Sequence, residues 1–102
     1  MTKTTWKEKA KRVSRCVKGV SHEIRLGILL ALREGEKSVN ALVDEIECPQ
    51  PTLSQHLSVM RERGIVVARR EANQVIYRVS DRRIFKLLDL LQLVFCSQGE
   101  ES

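Results

Sequence analysis

Hydrophobic residues recur at helical spacing around one short stretch of the chain. Leu53, Leu57 and Met60 follow the i, i+4, i+7 pattern of a narrow buried stripe. Pro49 and Pro51 stand just before this stripe, where a missing backbone N–H costs nothing. The pattern therefore predicts a short helix that begins at the two prolines.

A two-stranded hairpin is predicted directly after this helix. Gly64 is a stop signal, and the segments 65–70 and 75–79 are rich in Val and Ile, as strands are. The turn between them falls at the Ala-Asn-Gln sequence of residues 72–74. The order predicted for this part of the chain is helix, strand, turn, strand, with the hairpin at residues 65–79.

Three further helices are predicted on the N-terminal side. A thin apolar seam runs through residues 6–20, a second helix follows with Ser21 as its cap, and residues 38–47 form a third with Asn40 as a possible cap. The third helix and the proline-started helix make a helix-turn-helix over residues 38–63.

The last predicted helix covers residues 81–96, with Ser80 or Asp81 as its cap. The stripe that we assign to the core is Ile84, Leu87, Leu88, Leu91 and Phe95. A second stripe beside it contains Leu90, Leu93 and Val94. A helix this apolar in a single 102-residue domain predicts burial against a second protomer, and the segment 1–20, with Val13 and Val17, is its expected companion.

Basic residues are concentrated in two segments of a chain whose net charge is +5. Residues 1–25 hold eight Lys and Arg against two acids, and residues 49–79 hold five against two. This distribution is typical of a surface that faces phosphates. An alternative is that the basic residues near the chain end only increase solubility.

The outer side of the proline-started helix has the chemistry of a DNA-reading surface. Its polar residues are Thr52, Ser54, Gln55, His56, Ser58, Arg61 and Arg63. Amides, hydroxyls and guanidinium groups pair with base edges and phosphates, whereas a merely solvated face would carry more Glu and Lys. His56 borders the buried stripe and could instead be a packing residue, as Tyr77 could be in the hairpin. His22 is expected to be a surface residue of the second helix.

Several other classes of protein are not favoured. Cysteines at positions 16, 48 and 96 form neither a disulfide scaffold nor a CxxC zinc motif, and we expect a reducing, cytoplasmic location. The N-terminus lacks the apolar core of a signal peptide, and the apolar stretch 84–95 is too short to span a bilayer. No nucleophile triad, phosphate-binding glycine loop or metal cluster is visible, so neither an enzyme nor a cofactor is expected.

The sequence TLSQHLSVMRERGIVVARREANQVIYRVS, residues 52–80, resembles the reading helix and wing of ArsR-type winged-helix repressors. The shared features are a Ser-x-His-Leu core, a Gly-hydrophobic step and an Arg-rich hairpin ending in Tyr, and the resemblance extends from about Val17 to Cys96. It implies a mainly α fold with a small β-hairpin, a winged helix-turn-helix of about five helices and a two-stranded wing. It also implies a homodimer on an inverted-repeat operator in double-stranded DNA, which represses by occluding a promoter until an inducer alters the protein.

The resemblance assigns candidate DNA contacts. The positions that match the family's reading helix are Gln50, Thr52, Ser54, Gln55 and His56, and those that match the wing are Arg69, Arg70, Asn73 and Gln74. Arg61 and Arg63 are assigned to phosphates. Pro51 departs from the small polar residue usual at its position, which leaves the contacts of the first turn open.

The sensor is less well defined by the resemblance. Residues 41–47 lack the cysteines, and residues 82–95 the histidines, that bind metal in the metal-sensing members, so no metal site is expected. Cys96 matches a cysteine of the thiol-based sensors of reactive sulfur or oxidants, but Leu30 occupies the position of its usual partner.

Cys16 could take the vacant role, since basic neighbours favour its thiolate and its helix should meet the last helix at the dimer interface. Cys48 precedes a helix start, where the dipole also favours a thiolate. Other interpretations of the cysteines are three inert thiols, a metalloid site made of cysteine thiolates, and a repressor without a small-molecule inducer. A winged helix that binds proteins rather than DNA is an alternative to the DNA-binding function.

Overall fold

The computed structural model describes residues 5–96, which form five helices and three strands. In chain order they are α1 (Trp6–Val20), α2 (Glu23–Leu32), β1 (Lys37–Ser38), α3 (Val39–Ile46), α4 (Gln50–Glu62), β2 (Val66–Glu71), β3 (Gln74–Val79) and α5 (Arg83–Cys96). The order confirms the predicted mainly α fold with a hairpin. The first four residues of the predicted 1–20 segment lie outside the described residues.

The core lies where α2, α3 and α4 meet the inner face of the sheet. Its fully buried large side chains are Ile28, Leu29, Leu32, Leu42, Leu53, Leu57, Met60 and Val66. Three of them are the apolar stripe predicted for the proline-started helix. Since burial of each such side chain is worth about 1.5–3 kcal/mol, this stripe fixes which side of α4 faces solvent.

Both ends of α4 follow from local chemistry. Pro49 precedes the helix and Pro51 lies in its first turn, as predicted. Gly64 takes a φ of 75° after the helix, a conformation that costs glycine little. Its N–H donates to the carbonyl of Arg61 at 3.0 Å, and the N–H of Ile65 donates to that of Met60 at 2.9 Å. These two bonds close the C-terminus of α4 and set the direction of β2.

The hairpin is part of a three-stranded antiparallel sheet of order β1-β3-β2. Within it Ala68 pairs with Tyr77 and Arg70 with Val75. Tyr77 is buried, so it is a packing residue. The first strand was not predicted, because two residues are too few to show an alternating pattern.

Two helix caps differ from the prediction. Ser21 is the residue at which α1 ends, and the cap of α2 is His22, whose Nδ1 accepts from the backbone N–H of Ile24 at 3.0 Å. Ser38 caps α3 in place of Asn40, because its Oγ reaches the N–H of Ala41 at 3.1 Å. The prediction that Asp81 could cap the last helix is correct, as its carboxylate accepts from the N–H of Arg83 at 2.9 Å.

The predicted core stripe of the last helix is wrong in part. Leu88 is buried, but Leu87, Leu91 and Phe95 are exposed. Phe85 takes the inner position instead, with the guanidinium carbons of Arg33 and Arg82 5.6 and 4.9 Å from the centre of its ring. Only the first half of α5 therefore packs on the core, and the rest of its apolar surface remains uncovered.

Candidate nucleic-acid interface

The outer side of α4 presents Gln55 at its centre. Gln55 is two positions from both Leu53 and Leu57, which is about 200° around a helix, so burial of the two leucines turns the glutamine outward. The side chain is exposed and makes no hydrogen bond within residues 5–96. Thr52 and Ser54 beside it are half-buried. A free carboxamide in this position can donate and accept at the same time, as pairing with an adenine edge requires.

His56 lies differently from Gln55. Its ring is half-buried, 4.3 Å from the ring of His22 between centroids, and its Nδ1 accepts from Nε of Arg25 at 3.1 Å. Burial lowers the pKa of His56, and it is lowered further by the charge that His22 would carry on protonation and by the positive charge of Arg25. The predicted base-reading histidine is thus also a packing residue that joins α4 to α2.

The two arginines at the end of α4 have different surroundings. Nη1 of Arg63 donates to the carbonyl of Arg15 in α1 at 2.9 Å. The backbone of Gly19 approaches the same place so closely that an added Cβ would lie 2.7 Å from Cδ1 of Ile65. Arg61 is exposed and has no ion-pair partner in the described part of the chain. Of the two, Arg61 is the one available to a phosphate.

The arginines of the hairpin point to opposite faces of the sheet. Nη1 of Arg69 lies 2.7 Å from the carboxylate of Glu36, and its Nη2 lies 3.5 Å from Glu71. These carboxylates raise the pKa of Arg69, the hydrogen bond with Glu36 most of all. Arg70 is exposed, and no carboxylate pairs with it between residues 5 and 96.

A cleft of about 140 Å³ separates the hairpin tip from the starts of α3 and α4. It is lined by Ser38, Val39, Asn40, Gln50, Asn73, Gln74 and Val75. Three of the predicted DNA contacts therefore meet here. Asn40 was expected only as a cap, and its place beside them depends on the fold rather than on any local signal. The cleft offers four carboxamides on a surface that continues onto α4.

The dimerisation residues predicted on α1 and α5 are exposed in the single chain. Val13 and Val17 lie on α1, with about half of each side chain exposed. Leu90, Leu93 and Val94 on α5 are between 57% and 63% exposed. Single exposed apolar residues are ordinary, but a run of them on two helices is typical of a surface that another chain covers.

The three cysteines occupy distinct environments. Cys16 on α1 and Cys96 at the end of α5 are exposed. Cys48 is buried in the turn between α3 and α4, with Sγ 3.6 Å from the carbonyl oxygen of Pro49. The two exposed thiols are thus on the same helices as the uncovered apolar residues.

No three or more His, Cys, Asp or Glu side chains in the range 5–96 are grouped so that they could hold a metal ion. No helix in the same range is long and apolar enough to cross a bilayer.

Comparison with known proteins identifies the family. Residues 22–67 match the model of "Bacterial regulatory protein, arsR family". The biofilm growth-associated repressor of Xylella fastidiosa is 39% identical over 102 residues, which is all of this chain and 90% of that protein.

Solved structures of similar proteins share the fold of the chain. The crystal structure of the transcriptional repressor BigR from Xylella fastidiosa has a TM-score of 0.80 and 41% identity, and the match covers 96% of this chain and 100% of that one. A homodimeric winged helix-turn-helix DNA-binding domain from Mycobacterium bovis has a TM-score of 0.79 and 29% identity, over 100% and 96% of the two chains. With the polar side of α4 and the hairpin beside it, these matches show that the chain is a member of the ArsR family of transcription regulators, a winged helix-turn-helix protein and not an enzyme.

Proposed function

We propose that the chain is a repressor that binds an inverted-repeat operator as a homodimer, with α4 in the major groove and the wing, residues 65–79, against the minor groove. The observation that carries the proposal is the outward, unpartnered carboxamide of Gln55, which sits opposite the buried side of α4. The leucines hold the helix on its buried side, so Gln55 on the opposite side can enter a groove without breaking a contact inside the protein. A chromosome-bound regulator would act in the cytoplasm.

The proposed DNA contacts fall into two groups. Residues whose side chains can meet DNA without losing an internal ion pair are Gln50, Thr52, Ser54, Gln55, Arg61, Arg70, Asn73 and Gln74. His56, Arg63 and Arg69 are bonded inside the protein and would contact DNA only by sharing or exchanging those partners. We therefore assign base reading to the amide and hydroxyl side chains of the first group, phosphate contacts to Arg61 and Arg70, and a supporting role to the second group.

The homodimer is proposed from the exposed apolar side chains of α1 and α5. A two-fold axis through these helices would cover both sets and present one reading helix on each side. The two helices would then enter successive major grooves of one DNA face, about 34–36 Å apart, which an inverted repeat matches. The similar Mycobacterium bovis domain is itself homodimeric, which supports the proposal of a dimer.

Derepression is proposed to act through Cys16 and Cys96. Both thiols are exposed, and the helices that carry them are the proposed dimer interface. Oxidation by peroxide would join the two sulfurs, release two protons and pass two electrons to the peroxide, which leaves as two waters. A disulfide needs Cα atoms within about 7 Å, so its formation would fix the ends of α1 and α5 relative to each other. Reactive sulfur would act on the same thiolates.

Selection of duplexes from a random pool tests the proposal. The enriched duplex should contain an inverted repeat and bind with nanomolar affinity, while a scrambled duplex of the same composition binds at least about a thousandfold more weakly. Affinity should fall steeply with salt, with a log-log slope near −5 if about six phosphates are neutralised. A protein-interaction module would enrich no sequence and show a shallow slope, and this result would contradict the proposal.

A further inference from the structure

Two histidines and an arginine join the reading helix α4 to the rest of the domain. His22 precedes α2, Arg25 is in its first turn, and His56 is next to Gln55 on α4. The two imidazole rings lie 4.3 Å apart between centroids, with their planes inclined by 43°. The side chain of Arg25 reaches both neighbouring helices, as Nε donates to His56 and Nη1 donates to the carbonyl of Lys18 in α1 at 3.0 Å.

The donors of this cluster fix the protonation of both rings. A guanidinium has no acceptor atom, so in the 3.1 Å contact Nδ1 of His56 must be the acceptor. A backbone N–H can only donate, so in the 3.0 Å contact with Ile24 the Nδ1 of His22 must also accept. Each ring therefore carries its proton on Nε2 and is neutral. An imidazolium has a proton on both nitrogens and could make neither bond.

The charges around His56 also favour its neutral form. The ionisable groups that act on His56 are His22, which caps α2, and Arg25 in the first turn of α2; α1 contributes the carbonyl of Lys18 through Arg25. Burial lowers the pKa of His56 from its ordinary 6.5, and so do the charge that His22 would carry on protonation and the positive charge of Arg25. The neutral form of His56 is thus preferred in the folded state, because a positive charge on its ring would be repelled by Arg25.

We propose that His22, Arg25 and His56 form a proton-sensitive latch that positions the reading helix, so that mild acid weakens recognition of the operator while general attraction to DNA is kept. In the latched state Arg25, which is anchored in turn to α1, ties down α4 at the residue next to Gln55, in addition to the buried leucines. Protonation of His56 removes the hydrogen bond from Arg25 and adds a cation beside it. Arg25 then loses its acceptor on α4, and Gln55, one residue away, loses its fixed position. Arg25 is a positioning residue that acts through His56.

The sign of the stability effect follows from the lowered pKa. Between the pKa of His56 in the folded chain and 6.5, the unfolded chain binds more protons. The latch therefore contributes its full stability above pH 6.5, and this contribution is lost as the pH falls below that value. Nonspecific DNA binding should change in the opposite direction, because a protonated histidine adds a positive charge near phosphates.

The test compares affinity for a selected operator duplex and for a scrambled duplex from about pH 8 to about pH 5.5 at constant ionic strength. The ratio of the two affinities should fall severalfold in the wild type, because protonation of His56 removes the acceptor that holds Arg25. In His56→Asn the amide oxygen replaces Nδ1 as the acceptor but does not titrate, so the ratio should stay within about twofold. His22→Asn retains a capping oxygen and should reduce the pH dependence in part.

Arg25→Lys separates position from charge. It keeps the positive charge but cannot bridge His56 and Lys18, so its operator affinity at pH 8 should already resemble that of the wild type in acid. A wild-type ratio that is constant with pH, or a ratio in His56→Asn that falls as in the wild type, would overturn the latch.

A second readout does not depend on DNA. Nitrogen NMR of the free wild-type protein should show Nε2–H tautomers for both histidines at neutral pH, and an Nδ1–H tautomer at either ring would overturn the latch even if His56→Asn failed to fold. The inference rests on the proposed function, but failure of the latch can be distinguished from failure of the proposed function. Equal binding to both duplexes at pH 8 would refute operator reading, whereas discrimination at pH 8 that survives acid would refute only the latch.

Discussion

The carboxylate of Glu36 lies 2.7 Å from the guanidinium of Arg69 on the outer face of the wing. Glu36 comes just before β1, so this ion pair joins the wing to the chain between α2 and α3. Arg78 lies 3.9 Å from the same carboxylate. Exposed pairs of this kind add little stability, but they decide where the side chain of Arg69 points. Its neighbour Arg70 has no such restraint within residues 5–96.

This difference predicts unequal effects of two neighbouring substitutions. Arg70→Ala should weaken binding to operator and random DNA alike and reduce the salt slope by about 1, because a phosphate contact is lost. Arg69→Ala is the matched control and should have a smaller effect on the slope, since Glu36 already neutralises that charge. Affinities measured by fluorescence anisotropy at several salt concentrations decide between them. A larger effect for Arg69→Ala would show that the ion pair opens on DNA.

The apolar side of α5 gives a second prediction. Leu90 is 57% exposed, and a carboxylate at its position would have to lose its hydration to be buried in a dimer. Leu90→Glu should therefore yield a monomer by light scattering after a sizing column, and its operator affinity should fall by at least about tenfold as one half-site is lost. Gln92→Glu places the same residue at an exposed polar position of the helix and should leave the dimer intact. If Leu90→Glu remains a dimer, α5 is not the interface.

The exposed thiols give a third prediction. Peroxide or polysulfide should reduce the operator affinity of the wild type, and Cys96→Ser or Cys16→Ser should each prevent this loss. Cys48→Ala is the control, because a thiol buried in the core should be slow to react. Mass spectrometry should find two hydrogens missing from the peroxide-treated wild type. Equal loss of binding in Cys96→Ser and the wild type would exclude the proposed pair.

Much of the fold could be predicted because local patterns encode it. The stripe of Leu53, Leu57 and Met60 and the two prolines determine α4 without reference to other segments. The caps could not be predicted in the same way. Ser21 and His22 are both able to cap, and the choice between them depends on where α1 ends, which packing decides.

The last helix shows the other limit of sequence patterns. Leu87 and Phe85 are both apolar, and periodicity alone does not say which of them enters the core. The structure selects Phe85, whose ring fits beneath the guanidinium groups of Arg33 and Arg82. One of these partners, Arg33, is 52 positions from Phe85, so a pattern within the helix cannot reveal this roll of α5.

In the candidate site, too, the sequence predicted the residue types but not their contacts. Residue types alone indicated that Gln55 and its neighbours could read DNA. The partners of Arg69 and His56 could not be predicted, because Glu36 is 33 positions from the first and Arg25 is 31 positions from the second. Such contacts exist only once the helices have packed. Sequence therefore names the groups that can pair with DNA, and the fold decides which of them are free to do so.

The most direct test of the account is the discrimination between a selected operator duplex and a scrambled one by Gln55→Ala. Loss of its carboxamide should cost about 1–3 kcal/mol on the selected duplex and little on the scrambled one. Gln92→Ala, the same substitution on α5, should change neither affinity. If Gln55→Ala binds the selected duplex as tightly as the wild type does, the outer side of α4 does not read the bases.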